Sequence, residues 1–373
     1  WNSWNTFGQH LTEALIIETA EALIANGMRD LGYNYINIDD LWQLKERGAD
    51  GHIVIDSTKF PRGIKYVADY LHERGFRLGI YSDASKYTCA GVCGSLGYEE
   101  VDARDFAEWG VDLLKYDYCG APASRDTAIV RYRKMGEALR ATDRSIIYNI
   151  CEWGRRKPWE WAKEVGGHYW RTTEDIRDAW DLRESGTGLY GIMDIIDVNG
   201  ELADYAGPGF WNDPDMLVLG IVGWGNPHQT KLKPDEQYLH FSLWSLFSAP
   251  LLIGCDLEKM DDFTFSLLTN NEVIAVNQDP LGKQATCVHA IGELRIYVKE
   301  LEDGSKAVGF CNFDREKAEL SFRDFDKLGI TGKQTVRDLW RQKDIKTLDA
   351  GREVLSLNVP AHGVLLYKFK PVQ

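Results

Sequence analysis

Residues 113–120, LLKYDYCG, run from apolar side chains straight into a carboxylate, Asp117, with Lys115 two positions before it. Alternate residues of a strand share a face, so the spacing predicts that Lys115 and Asp117 point the same way. An unpaired charge in a core costs several kcal/mol or more, so an ordinary buried strand excludes both. Asp117 therefore reads as a working residue, with a buried structural ion pair between Lys115 and a carboxylate as the alternative. The pattern recurs, which favours the first reading. Residues 33–40 (YNYINIDD), 76–83 (FRLGIYSD) and 145–153 (SIIYNICEW) are short apolar or β-branched runs that end on acid: Asp39 with Asp40, Asp83, and Glu152. Residues 168–175, 210–216 and 251–257 repeat the theme with Asp175, Asp213 with Asp215, and Asp256.

Helical patterns separate these runs. In residues 12–28, Leu15, Ile16, Ala20, Leu23, Ile24 and Gly27 recur at spacings of three and four, and residues 62–74, 125–140 and 235–247 are similar. Strands alternating with helices imply a parallel sheet. The seven acid-ending strands, plus one lost or begun at Trp1, predict a (β/α)8 TIM barrel, a fold of typically about 250 residues. Its strands present their C-terminal ends to one pocket, so the acids would converge. A doubly wound open sheet would also gather strand ends, but it calls for a Gly-rich phosphate loop after the first strand, and none is present. After Asn277 the period changes to two: Leu294, Ile296, Val298; Leu355, Leu357, Val359; Leu365, Tyr367, Phe369. The expected organisation is a catalytic barrel over residues 1–280 and an antiparallel β-sandwich over 281–373. The sandwich reads as a covering, stabilising domain, with carbohydrate binding as its alternative role.

A net charge of -14 argues against nucleic acid and anionic membrane surfaces as partners, since both demand basic patches. No apolar run approaches the roughly 20 residues that span a bilayer. The chain opens at Trp1 inside the expected first strand, so upstream residues are expected to be missing, and no signal segment can be read. Thirteen Trp in a chain that is 12% aromatic point toward carbohydrate, because indole and phenol faces stack on the C–H face of a sugar ring. The seven cysteines cannot all pair; Cys89 and Cys119 could meet at the barrel rim as a disulfide or stay free. Neither Cys89 with Cys93 nor any His pair has zinc spacing. Clustered carboxylates could hold a divalent metal, but Lys115 and Arg171 would contest the cation's place, so no metal and no cofactor are expected.

Two acids, aromatic platforms and no phosphate loop suggest glycoside hydrolysis, one carboxylate attacking and a second protonating the leaving oxygen. The segments WNSWNTFG at Trp1, NIDDLW at Asn37, KYDYCG at Lys115, CEWG at Cys151, WRTTEDIRD at Trp170 and GFWNDPDML at Gly209 then resemble, in order and spacing, glycoside hydrolase family 27. That family holds α-galactosidases and α-N-acetylgalactosaminidases, and the likeness extends through NQDPLGKQ into the sandwich.

The resemblance implies a retaining double displacement and a galactose-containing oligosaccharide or glycoconjugate as substrate. It implies Asp117 as nucleophile and Asp175 as general acid and base, with Asp178 as the rival for the second role. Asp178 is expected instead to open a following helix as a favourable N-terminal charge. The resemblance further implies Asp39 and Asp40 on the sugar's O6 and O4, and Lys115 on O3 and O4. Arg171 with Cys151, Glu152 and Trp153 would hold O2, Trp4 would stack under the ring, Tyr81 and Trp211 would line the pocket, and Asp213 and Asp215 would fix its floor. Packing roles compete for Trp4 and Tyr81, and turn or capping roles for Asp213 and Asp215. Asp83 and Asp256 read as structural, and His168 as ordinary. Intact Glu152 and Trp153 favour a free 2-hydroxyl and hence galactose over N-acetylgalactosamine, and intact Asp39 and Asp40 favour galactose over β-L-arabinopyranose. Leu41 stands where the resemblance implies a cysteine in animal relatives, so at least one of their disulfides is missing. A secreted, periplasmic or lysosome-like setting is expected, with the oligomeric state open. The alternative of another class is a catalytically silent sugar-binding protein, which would lack the nucleophile or the acid; both motifs are complete.

Overall fold

A computed structural model describes residues 1–372. The chain forms two compact units. The first comprises Trp1–Asp178, Asp215–Thr230 and Leu252–Asp262; the second comprises Ala179–Pro214, Lys231–Leu251 and the chain from Phe263 on. Residues 179–214, 231–251 and 263–280 thus fall in the same unit as the strands after residue 280.

In the first unit the strands β1 (Tyr35–Asn37), β2 (Arg77–Asp83), β3 (Leu113–Asp117), β4 (Ile147–Ile150) and β5 (Tyr169–Arg171) pair in parallel in that order. Single parallel bridges carry the ring onward, Asn2 with Asn37 and Leu217 with Ile253. The Asn2 N–H donates to the Ile253 carbonyl at 2.9 Å. These contacts extend the parallel pairing beyond β1–β5, and the fold is the (β/α)8 barrel that the alternation predicts. Strand β6 (Trp211–Asp213) belongs to the second unit, and a hairpin of β7 (Ile221–Val222) and β8 (His228–Gln229) completes the first.

The helices start where the chain supplies caps. Thr12 accepts the Leu15 N–H ahead of Glu13–Ala25, and Ser124 accepts the Thr127 N–H ahead of Arg125–Arg140. A further helix, Glu99–Trp109, escaped the periodicity because acids fill its first turn. After β4 no α-helix forms; the 3-10 turns Pro158–Glu160 and Ala162–Val165 stand in its place. Helix Arg125–Arg140 packs on that turn through Gly136, where a Cβ would come within 2.0 Å of the Val165 carbonyl oxygen.

In the second unit, β9 (Thr286–Ile291), β10 (Leu294–Glu300), β11 (Lys306–Asn312), β12 (Ala318–Phe322), β13 (Lys333–Asp338), β14 (Lys343–Asp349), β15 (Leu355–Val359) and β16 (Val364–Pro371) form the antiparallel sandwich. One sheet runs β14-β13-β16-β11-β10-β9 and the other pairs β12 with β15. The residues that alternate in the sequence form its core: Leu294, Ile296, Val298, Leu355, Leu357, Val359, Tyr367 and Phe369 cluster with Phe310, Phe322 and Val336, and Leu365 packs against them. Leu366 and Gly309 face the other way, and a Cβ on Gly309 would meet Leu246 of helix Pro234–Leu246 at 2.7 Å. Among the described residues no helix is long and apolar enough to cross a membrane.

Candidate active site

The barrel strands deliver their acids to a cavity lined by Trp4, Asp39, Asp40, Tyr81, Lys115, Asp117, Arg171, Asp175 and Asp215. Lys115 and Asp117 do share a face of β3. Lys115 Nζ donates to Asp39 Oδ2 at 2.8 Å, an oxygen that also receives Asn2 Nδ2 at 2.8 Å. The ion pair considered for Lys115 thus exists, and it lies inside the cavity rather than in a closed core. Burial alone would lower the Lys115 pKa; the charge of Asp39, with that of Asp117, outweighs it and holds the ammonium well above its ordinary value.

Asp117 ends β3 with a donor on each oxygen. The Tyr81 hydroxyl donates to Oδ2 at 2.9 Å and the Tyr118 N–H to Oδ1 at 2.9 Å. Burial, the strongest influence, pushes its carboxyl up to about 7, Lys115 opposes the rise and Asp175 adds to it. Asp175 is more open, with 34% of its side chain exposed, and accepts from Arg171 Nη2 at 3.1 Å. The same nitrogen reaches Asp215 Oδ2 at 2.8 Å, and Asp215 also takes the Ile176 and Met216 N–H groups. Arg171 and Asp215 are buried, so this forked contact fixes Asp175 from a rigid base.

Asp40 accepts the Leu41 N–H at 2.7 Å and the Ala90 N–H at 3.0 Å; burial raises its carboxyl to about 6. A disulfide joins Cys89 to Cys119, Cα to Cα 5.1 Å, tying the loop after β2 to the end of β3. Cys93, Cys151, Cys255, Cys287 and Cys311 are free.

Five residues expected at the site do not reach the cavity lining. Glu152 is fully buried, its carboxylate taken by the Arg156 N–H at 2.9 Å and by Arg156 Nη1 at 3.0 Å, because it follows Cys151 on the opposite face of the strand end. Trp153, held at φ 59°, turns under the Arg155 guanidinium at 4.8 Å. Cys151 is buried, its Sγ 4.0 Å from Arg171 Nη1. Trp211 packs on the tight Gly282 turn, where a Cβ would lie 2.8 Å from its ring. Asp213 is buried at the end of β6.

Asp178 opens no helix, contrary to expectation. It is buried, with His228 Nδ1 3.8 Å from its carboxylate, and it does not line the cavity. Asp83 and Asp256 brace backbone, as expected: Asp83 accepts the Ser85 and Cys119 N–H groups, and Asp256 those of Glu258 and Lys259. The lining also includes Asn5, Cys89, Met216 and Trp224, which the sequence reading did not assign to it. Trp224 had a readable signal, a lone aromatic between two glycines.

Leu41, Trp153, Asp215 and Trp224, none of them glycine, have φ of 75°, 59°, 74° and 51°. Such strain persists only where surrounding structure enforces it, and it gathers at functional sites. A parallel barrel that presents two differently held acids beside an indole defines a glycoside hydrolase of the two-carboxylate kind. Comparison with known proteins narrows the class. The α-galactosidase A family model matches residues 5–279 and the α-galactosidase C-terminal β-sandwich model matches 291–369. The chain is 41% identical to α-galactosidase A of Cellvibrio japonicus, over 100% of this chain and 91% of that protein. The crystal structure of α-galactosidase I from Mortierella vinacea superposes with a TM-score of 0.91 at 34% identity, covering 99% of this chain and 95% of that one. The Saccharomyces cerevisiae α-galactosidase with raffinose gives 0.90 at 30%, covering 100% and 97%. The chain belongs to the α-galactosidase family, glycoside hydrolase family 27, and is a retaining hydrolase of that kind.

Proposed function

We propose that this family member removes terminal α-linked D-galactose from oligosaccharides or glycoconjugates with Asp117 as nucleophile and Asp175 as acid and base. The observation that carries the reading is the unequal setting of the two acids in one cavity: Asp117 buried under two donors, Asp175 partly open on its arginine. Asp117 attacks C1 as the bond from C1 to the leaving oxygen breaks and Asp175 gives that oxygen its proton. Water then attacks C1, passes a proton to Asp175 and displaces Asp117. Two inversions return the α-anomer. NMR of the first product from an aryl α-galactoside tests this; early β-galactose would overturn the double displacement.

Trp4 stacks under the ring, and Arg171 serves O2. Glu152 acts indirectly, by closing the turn that carries Cys151 and Trp153 through its bonds to Arg156. We assign Asp39 to the O4 side, because it is paired with Lys115, and Asp40 to O6. Asp40 is also the cleaner probe, since removing Asp39 would strip Lys115 of its ion-pair partner. A site that accepts a hydrogen bond from O6 leaves a buried acid unmatched when L-arabinopyranose binds, a loss of roughly 1 to 3 kcal/mol. The wild type is expected to favour the α-galactoside over the β-L-arabinopyranoside by about five-fold to 150-fold in kcat/KM. Asp40→Ala should lose most of that preference through a fall on the galactoside alone. A parallel fall on both glycosides would remove Asp40 from O6.

A further inference from the structure

We propose that Trp224, backed by Arg177, is a binding platform for the aglycone, and that it selects a second sugar ring over a small alkyl group; this rests on the functional reading above. Trp224 lines the cavity together with Asp175 and Trp4. Its ring lies 6.0 Å from that of Trp4 at an interplanar angle of 59°, so the two indoles form a corner rather than one continuous floor. With Trp4 under the galactose ring, Trp224 faces what is attached to it.

The acid marks the same side. A general acid must lie within hydrogen-bond reach of the leaving oxygen, so the aglycone departs past Asp175. Arg177 follows Asp175 by two residues, and its guanidinium sits 3.4 Å from the Trp224 ring centroid. Among the described residues Arg177 forms no ion pair, and burial lowers its pKa, as for a cation whose solvation has been partly replaced by an aromatic face. Its N–H groups are donors suited to sugar hydroxyls, and the indole suits the C–H face of the same ring. An alkyl aglycone can use neither.

The platform is held rigidly. Trp224 lies at the tip of the β7–β8 hairpin between Gly223 and Gly225, whose φ values are 140° and 91°. The N–H groups of Gly223 and Trp224 both donate to the Asn5 carbonyl, at 2.6 and 3.0 Å, and Gly225 donates to Thr6 at 2.8 Å. Gly8 permits this approach, since a Cβ there would lie 3.0 Å from the Trp224 carbonyl carbon and oxygen. Glycine fits such a conformation without strain. The chain instead places its largest side chain there and clamps it to the segment that carries Trp4.

The test compares melibiose, in which galactose is joined to glucose, with methyl α-D-galactopyranoside, and measures galactose as inhibitor. Trp224→Ala should lower kcat/KM on melibiose by about ten-fold, a loss at least about five times that on the methyl galactoside, with the galactose inhibition constant moving less than about three-fold. Arg177→Ala should show the same substrate bias at about three-fold. Trp224→Phe, which keeps a ring, should recover most of the melibiose activity, and this guards against a merely misfolded Ala variant. Equal losses on both substrates with weakened galactose inhibition would overturn the platform and make Trp224 part of the galactose pocket. A wild type inactive on both galactosides would overturn the functional reading itself, and the platform with it.

Discussion

Asp117→Asn should lower kcat/KM on an aryl α-galactoside by at least about 10⁴-fold while the protein stays folded and still binds galactose. Asparagine keeps the size of the side chain and an oxygen for the Tyr118 N–H, its amide nitrogen can donate to the Tyr81 oxygen, and it loses the charge that attacks C1. The same substitution makes a stability prediction of determined sign. Burial raises the Asp117 carboxyl to about 7, above its unfolded value of about 3.9. The native state therefore holds the proton more tightly; the associated stability is complete below about pH 4 and is lost as pH rises through about 7. Asparagine, which stands in for the neutral acid, avoids that loss. At pH 8 the variant should melt at or above the wild-type temperature, and near pH 4 the advantage should vanish. In the wild type, kcat/KM should fall as pH drops below about 7, because protonation removes the nucleophile. A variant that keeps its activity, or that melts well below wild type at pH 8, would show that Asp117 is a structural carboxylate.

Asp175→Ala should divide substrates by leaving group. Dinitrophenolate departs without a proton, so the dinitrophenyl galactoside should still load the enzyme and show a burst. Methyl α-galactoside should lose about 10²-fold to 10⁴-fold, the range of general acid catalysis. Breakdown of the intermediate should be slow on every substrate, because water lacks its base, and azide, which needs none, should restore turnover and yield α-galactosyl azide. Losses independent of leaving group, without azide rescue, would assign Asp175 to positioning.

Sequence pattern alone determined the barrel and its direction. Runs ending on acid marked the strand ends, and of those acids Asp39, Asp40, Asp117, Asp175 and Asp215 line one cavity, whereas Asp83, Glu152, Asp213 and Asp256 are buried outside its lining. Period-two runs likewise marked the sandwich, because a strand with one face buried writes that face into every second residue. Pairings across distant segments were not legible. Whether Lys115 meets Asp39, Asp117 or no acid depends on how neighbouring strands register, and the structure chooses Asp39, 76 positions away. The order of residues in CEWG placed Glu152 near the site, but the turn after β4 bends its carboxylate to Arg156, four residues on. Asp178 looked like a helix start only while no partner was visible; the hairpin brings His228 to it. The same hairpin carries Trp224 into the cavity from a segment with no strong periodicity, held there by carbonyls of Asn5 and Thr6 more than two hundred residues earlier. Local sequence determines which face a side chain takes on its own element. What that side chain meets is decided by chain closure over long separations, which no local pattern records.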